Sequence, residues 1–141
     1  MAKDFILIVS AHGLPQKLIE KGDPYKKHIE INYSLIIKKL KEENYHFKDT
    51  ILAYQSKVGR AKWLEPNLTD VIKEIATKNE KKILIFPISF TIDNSETLYE
   101  LEIENKEIAS SLGIDSFLVA SPPNDKDNFA LFLSKLVKEQ L

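Results

Sequence analysis

One histidine of this chain lies close behind an apolar run that is predicted to form a strand. His12 follows the apolar run Phe5–Val9 and precedes the turn-forming Gly13. An imidazole titrates near neutral pH, so this one could accept a proton or bind a metal ion through a ring nitrogen. The alternative is a buried histidine whose nitrogens are bonded to the backbone. The residue types alone leave both interpretations open.

A carboxylate follows a second apolar run, Ile83–Ile88, at Glu96. Asp93 precedes it by three residues, and this spacing is a variant of the capping box, in which the glutamate bonds a backbone N–H at a helix start. From the residues alone, capping is the favoured interpretation of Glu96. If the two runs are neighbouring parallel strands, however, His12 and Glu96 face a common cleft, because open α/β sheets bind ligands beyond the carboxyl ends of their strands.

Two further glutamates continue from Glu96 at steps of four residues, Glu100 and Glu104, and so share one face of a predicted helix. Between Asp93 and Glu107 there are six acidic residues and one lysine. Like charges four residues apart destabilise a helix by about 0.2–0.5 kcal/mol per pair. A solvated helix face is the usual explanation, and a bound divalent cation that compensates the repulsion is the alternative.

Polar residues also lie at the end of a third apolar segment, which is predicted as a strand at 50–54. They are Tyr54, Gln55, Ser56 and Lys57. At a ligand-binding sheet edge, Ser56 or Lys57 could bond a carboxylate group. The alternative is an ordinary loop with an exposed lysine.

Short apolar segments separated by helical patterns predict the elements that position these groups. Strands are expected at about 5–10, 50–54, 82–88 and 116–120. Helices are expected at about 23–43, 67–78, 95–112 and 127–140. Asp23 followed by Pro24 indicates a helix start, and Gly113 indicates a helix stop. The alternation predicts an α/β fold, with a four-stranded parallel sheet flanked by helices on both sides.

The composition restricts the class of protein and its partners. A length of 141 residues fits one domain with a real core. Lysine and arginine number 20 against 21 acidic residues, without a basic stripe, so nucleic acid is not expected as a partner. The chain has no cysteine, so a metal would meet nitrogen or oxygen ligands. No apolar run approaches the roughly twenty residues of a transmembrane helix, and we expect a cytoplasmic location with room for peripheral membrane contact.

Taken together, these motifs resemble the C-terminal half of ferrochelatase, the enzyme that inserts ferrous iron into a porphyrin in heme synthesis. Five segments carry the resemblance in matching order and spacing: Ser10–Pro15, Gly22–Tyr25, Tyr54–Gly59, Trp63–Leu64 and Asp93–Leu98. Each segment alone is a weak signal, and the combination is fairly specific. The resemblance extends from about Phe5 to about Val137, so the N-terminal half of the family is what this chain lacks.

The resemblance implies a metal chelatase of the lyase class, with a single three-layer Rossmann-like domain over residues 1–141. It implies that His12 and Glu96 are catalytic. The residues it assigns to the metal are His12, Glu96, Glu100 and Glu104. Those it assigns to the porphyrin cleft are Tyr54, Gln55, Ser56 and Lys57. It implies no tightly bound cofactor: ferrous iron is a substrate, and other divalent cations could occupy the acidic helix.

Asn94 departs from the family pattern, which usually has a second histidine at that position. An amide cannot relay a proton, and it binds iron more weakly than imidazole does. Either the second histidine is dispensable or this chain is impaired.

Three functions therefore stay open. The chain could be the catalytic half of a ferrochelatase that acts on protoporphyrin IX or coproporphyrin together with its missing N-terminal half. It could be a half-size tetrapyrrole chelatase that rebuilds the cleft as a homodimer. It could also be a fragment that binds porphyrin or heme without turnover.

Overall fold

The computed structural model describes residues 1–141, and at its centre is a four-stranded sheet. The strands are β1 (Ile6–His12), β2 (Asp49–Gln55), β3 (Lys82–Pro87) and β4 (Ser116–Val119). Their order is β2-β1-β3-β4, and every pairing is parallel. The two apolar runs that precede His12 and Glu96 are therefore neighbouring strands. This adjacency is the condition on which the expected common cleft depends.

Helices flank the sheet, which confirms the predicted Rossmann-like α/β fold. They are α1 (Gln16–Glu20), α2 (Tyr25–Glu42), α3 (Leu68–Thr77), α4 (Ser95–Leu98), α5 (Lys106–Ser111) and α6 (Asp127–Lys138), with a 3₁₀ turn at Ala2–Asp4 and a π-helical segment at Glu100–Asn105. The sequence pattern does not predict α1 or the 3₁₀ turn. None of the helices combines the length and the apolar character that crossing a bilayer requires.

Two apolar clusters hold the layers together, one on each face of the sheet. The larger cluster packs β1 residues such as Ile8 against α3 residues such as Ile72. The smaller one joins Ala11 of β1 and Tyr54 of β2 to Ile29 of α2. Alternate residues of β1 thus face opposite layers that are both covered, which explains why the strand is a continuous apolar run. Each large aliphatic side chain buried in this way stabilises the fold by roughly 1.5–3 kcal/mol.

The segment predicted as one helix over residues 95–112 consists of three pieces: α4, the π-helical segment and α5. The buried side chain of Asn105 donates from Nδ2 to the carbonyl oxygen of Glu100, 2.7 Å away and five residues earlier. The backbone of this turn has the five-residue hydrogen-bond spacing of a π-helix, because the N–H of Glu104 donates to the carbonyl oxygen of Tyr99 at 3.0 Å where a regular α-helix was expected. Glu100 and Glu104 both lie on this turn.

Both predicted helix-end signals are confirmed. Asp23 Oδ1 accepts the N–H of Tyr25 at 2.9 Å, and Pro24 precedes the first residue of α2. Gly113 follows the end of α5 with φ at +79°, a conformation that glycine adopts without a steric penalty.

Helix α6 is rich in apolar residues and lies mostly outside the packed layers. None of its residues is buried. The exposed fraction is 57% for Leu131, 53% for Phe132 and 67% for Val137. A surface helix normally buries its apolar stripe. The α6 surface, formed by Leu131, Phe132, Leu133, Leu136 and Val137, is therefore apolar surface that the chain does not cover by itself.

Candidate active site

His12 is the last residue of β1 and lies half-buried at the carboxyl edge of the sheet. Its ring Nδ1 is 2.7 Å from the carbonyl oxygen of Gly13. A carbonyl oxygen can only accept, so Nδ1 carries the proton of this bond and Nε2 keeps a free lone pair in the neutral ring. The ring of Phe90 approaches edge-on, with the centroids 6.3 Å apart. One imidazole nitrogen is thus available as a base or as a metal ligand.

Side chains from two other elements bond the backbone of His12. Its N–H donates to Ser89 Oγ at 3.0 Å, and its carbonyl oxygen accepts from Tyr25 Oη at 2.8 Å. The two hydroxyl oxygens are 2.7 Å apart. Burial raises the pKa of Tyr25, against the opposing effect of the Ser89 hydrogen bond, so the phenol stays a donor at neutral pH. No sequence signal indicates Ser89, and Tyr25 belongs to a motif only as the last residue of Gly22–Tyr25.

Gly13 lies where three parts of the chain approach most closely. A Cβ at this position would lie 2.7 Å from the carbonyl oxygen of Gln55 and 3.2 Å from Cε3 of Trp63. The Gly13 N–H donates to the same Gln55 oxygen at 2.8 Å. The glycine after the histidine is therefore required by the close approach of β2 and of the Trp63 ring.

Glu96 lies in the first turn of α4, and the structure corrects its predicted capping role. The N-cap residue is Asn94, whose Oδ1 accepts the N–H of Glu96 at 2.8 Å. The reciprocal bond comes from Thr97, whose Oγ1 accepts the N–H of Asn94 at 3.0 Å. The carboxylate of Glu96 bonds the hydroxyl of Ser95 at 2.9 Å. The capping interpretation of Asp93 and Glu96 is wrong, and the Glu96 carboxylate is not used to start the helix.

The cap explains what the side chain of Asn94 does. While its Oδ1 caps α4, its Nδ2 donates to the carbonyl oxygen of Ile92 at 3.1 Å. Asparagine is among the most favourable N-cap residues. Asp93 has a different role, because it accepts from Thr97 Oγ1 and from Asn124 Nδ2, each at 2.8 Å. Asp93 thus ties α4 to the loop before α6.

Glu100 is bonded by the residues that end β2. Its Oε1 accepts the N–H of Ser56 at 2.6 Å, and its Oε2 accepts from Ser56 Oγ at 2.6 Å and from Gln55 Nε2 at 3.1 Å. Gln55 also accepts from Ser10 Oγ at 2.8 Å and donates to the carbonyl oxygen of Glu96 at 3.1 Å. Bonds to a carboxylate are the stronger class of hydrogen bond. Glu100 therefore fixes the loop after β2 to the π-helical segment that follows α4.

Two of the acidic residues that are assigned to the metal line the same cavity. Glu100 and the exposed Glu104 line a cavity of about 370 Å³, together with Ser56 and Thr69. Across the whole chain, no three histidine, aspartate or glutamate side chains lie close enough to share one ion. The four residues assigned to the metal are thus not gathered in one centre. Their role as ligands stays a prediction.

The four residues assigned to the porphyrin cleft lie in different environments. Tyr54 is 2% exposed and Gln55 is 1% exposed. Burial raises the pKa of Tyr54 to about 12, with nearby negative charge adding to the shift. Ser56 is half-buried, while Lys57 is exposed and lines a second cavity of about 450 Å³. Ligand contact stays a prediction for all four, and Lys57 has the most accessible side chain among them.

A solved structure shares this fold. The crystal structure described as a CbiX protein of cobalamin (vitamin B12) biosynthesis from Marinobacter aquaeolei VT8 aligns with a TM-score of 0.61 and 15% identity, over 96% of each chain. The fold thus defines the class: a Rossmann-like α/β domain with an all-parallel sheet.

Sequence comparison then identifies the family. The chain belongs to the ferrochelatase family, whose sequence model matches residues 1–141. The ferrochelatases of Wolinella succinogenes, Campylobacter concisus and Helicobacter hepaticus are 50%, 49% and 47% identical to it over 137, 130 and 139 residues. These alignments cover 97%, 92% and 98% of this chain, but 42%, 40% and 43% of the relatives. The chain spans about two fifths of the length of the curated relatives it matches.

Proposed function

We propose that this chain takes part in the insertion of ferrous iron into a porphyrin, as the half of a ferrochelatase that carries the catalytic histidine and glutamate. Membership of the family supports the proposal. The structural observation that carries the proposal is the hydrogen bond made by the ring of His12. Its Nδ1 is bonded to Gly13, which leaves Nε2 free at the sheet edge where α/β folds bind their ligands.

In the proposed reaction, two inner N–H protons leave the macrocycle while the ion loses water. His12 Nε2 accepts one of these protons or binds the incoming iron. Glu96 serves as the second group, because its carboxylate is not needed by the helix cap. Enclosing the macrocycle between apolar walls would exclude water and so strengthen the interactions of His12 and Glu96 with the substrates. The two substrates are ferrous iron and protoporphyrin IX or coproporphyrin.

Glu104 of the π-helical segment is proposed to hold divalent ions before transfer. Glu104 is exposed and can meet a hydrated cation through its oxygens. Glu100 contributes in a different way, since its carboxylate already accepts three hydrogen bonds from Gln55 and Ser56. It keeps the loop that carries Lys57 beside the site, where the lysine can pair with a carboxylate of the porphyrin.

A flat macrocycle needs a wall on each side, and we propose that a second polypeptide supplies the other one. The relatives have more than half of their length outside the region matched by this chain. The α6 surface, which the chain leaves uncovered, suits such a partner. The partner is the missing half or, if the chain acts alone, a second copy. We place the complex in the cytoplasm, with room for peripheral membrane contact, and a chain without cysteine fits a reducing compartment.

We expect the isolated chain to self-associate through the α6 surface. The double variant Phe132→Glu, Val137→Glu should shift it towards monomer in sedimentation equilibrium, because two charges would have to be desolvated in the contact. Both side chains are exposed, so the free energy of unfolding should change by less than about 0.5 kcal/mol. Lys135→Glu on the same helix is the matched control. A native chain that stays monomeric at every concentration contradicts the expectation.

A second candidate function is porphyrin or heme binding without turnover. Asn94 favours it, because the amide caps a helix at the position where the family usually has histidine. In binding without chemistry, His12 would be the residue that holds the iron of a heme, through the same free Nε2.

Anaerobic iron insertion, followed by the absorbance of the porphyrin, tests the proposal. We expect turnover that Glu96→Gln lowers at least about a hundredfold, as for loss of a general base. Glu102→Gln is the matched control, since Glu102 lies on the neighbouring turn and pairs with Lys106. Equal rates for the two variants would contradict the role of Glu96. Porphyrin binding without turnover, by folded protein, would favour the second candidate.

A further inference from the structure

Strand β1 extends beyond its neighbour β3. The pairing of the two strands ends at Ser10 and Pro87, and the last backbone bond between them runs from Ile88 N–H to the Ser10 carbonyl oxygen at 3.0 Å. A turn closed by Phe90 N–H and the Pro87 carbonyl oxygen at 3.2 Å then directs the chain away. His12 therefore has no strand on that side to bond its backbone groups.

Two hydroxyl groups take the place of the missing strand. Ser89 Oγ accepts from the N–H of His12, and Tyr25 Oη donates to its carbonyl oxygen. Because Tyr25 has one hydroxyl proton, the 2.7 Å contact between the hydroxyls requires Ser89 to donate to Tyr25. The three bonds form a closed ring in which every donor has one acceptor.

This ring fixes the peptide plane that joins His12 to Gly13. Tyr25 holds the oxygen end of the plane, and the Gly13 N–H at the other end donates to Gln55 of β2. The next carbonyl, that of Gly13, accepts from His12 Nδ1 and so decides which ring nitrogen stays free. Tyr25 is itself held at the start of α2 through its N–H, by Asp23.

We propose that Tyr25 and Ser89 are positioning residues, which set the orientation and the tautomer of the His12 ring by bonding its backbone. This inference rests on the function proposed above for His12. It also explains the segment Gly22–Tyr25, because Asp23 and Pro24 start a helix whose first residue delivers a hydroxyl to the end of β1. Both hydroxyls bond the backbone of His12 and not its ring, so both act through His12.

Solution NMR of the full chain tests the proposal without any need for turnover. Two measurements are made, the ¹⁵N shifts of the His12 ring, which report the tautomer, and the exchange rate of its backbone amide. We expect the native ring to show the Nδ1–H tautomer alone, and Tyr25→Phe to give a mixture. In Ser89→Ala the His12 amide should exchange about five- to tenfold faster, as for loss of one hydrogen bond.

Tyr33→Phe is the matched control. Tyr33 lies on the same helix, and its hydroxyl donates to the backbone oxygen of Thr50 at 2.8 Å, so the variant loses the same kind of bond away from His12. Ring signals of His12 that are unchanged in both Tyr25→Phe and Ser89→Ala overturn the proposal. A change of equal size in Tyr33→Phe overturns it as well, since the effect would then be general loosening of the fold.

Measurement of turnover distinguishes failure of the positioning role from failure of the proposed reaction. In an active preparation, Tyr25→Phe should lower kcat for iron insertion at least about tenfold, with KM for the porphyrin nearly unchanged, because only the catalytic ring is displaced. A change in KM alone counts against positioning. A chain without turnover, in which the NMR result still holds, means that the proposed reaction fails while the positioning of His12 stands.

Discussion

We expect His12→Ala to lower the rate of iron insertion by about 10²–10⁴-fold, the range that loss of a general acid or base produces. The variant removes the ring whose Nε2 is free, and with it any metal bond at that nitrogen. The backbone groups of residue 12 stay bonded to Tyr25 and Ser89, so the strand end keeps its position. The free energy of unfolding should therefore change far less than the activity does.

The measurement is anaerobic iron insertion at saturating porphyrin, together with denaturant unfolding of the same preparations. His28→Ala is the control, because His28 is exposed on α2 and belongs to none of the site motifs. If both variants lose activity equally, the decrease comes from general damage and the role of His12 is contradicted. Full activity in His12→Ala would contradict it directly.

The second large effect is expected for Gly13→Ala. The added methyl would lie 2.7 Å from the carbonyl oxygen of Gln55, and a backbone oxygen in a central sheet cannot move aside as a flexible side chain would. Such overpacking destabilises a fold by about 1–3 kcal/mol. Gly13 also supplies the carbonyl that orients the ring of His12, so we expect activity to fall by up to about a hundredfold.

Equilibrium unfolding in urea and the NMR signals of the His12 ring would show the two effects separately. Gly59→Ala is the comparison: Gly59 has φ at +71° and no atom within 4 Å of its would-be Cβ, so that variant introduces backbone strain without a clash. It should lose stability while the ring signals of His12 stay as in the native chain. Native stability and native ring signals in Gly13→Ala would show that the close contact is relieved without harm.

Local sequence was sufficient for the main elements of the fold. The apolar runs of β1 and β3 contain residues that suit a strand covered on both faces, and the alternation with helices specified a parallel sheet. The helix expected over 95–112 was less accurate, because it contains a π turn, in which the N–H of Glu104 bonds the carbonyl oxygen of Tyr99 and the buried side chain of Asn105 bonds that of Glu100. No periodicity in the sequence indicates that a particular asparagine will bond a carbonyl oxygen five residues before it.

The candidate site was predictable where a motif specified it and not where distant residues meet. Asp93 and Asn94 are both good N-cap residues. The choice between them depends on Asn124, 31 positions away, whose Nδ2 donates to the carboxylate of Asp93. Glu100 had the spacing of a metal ligand, whereas its observed donors lie 44 and 45 positions earlier, at Ser56 and Gln55. Contacts over such separations are set by topology, which local patterns do not contain.

The central place of β1 has a consequence for how the protein folds. His12 bonds Ser89 from 77 positions away, and its strand must acquire one neighbour from β2 and another from β3. Contacts of such high sequence separation form late and make folding slow. The end of β1 that carries His12 can therefore not be organised in advance by a local hairpin or helix. Protection of the Ile8 amide, in the middle of β1, against solvent exchange should follow the unfolding of the entire sheet, as expected for a core strand, rather than a local opening.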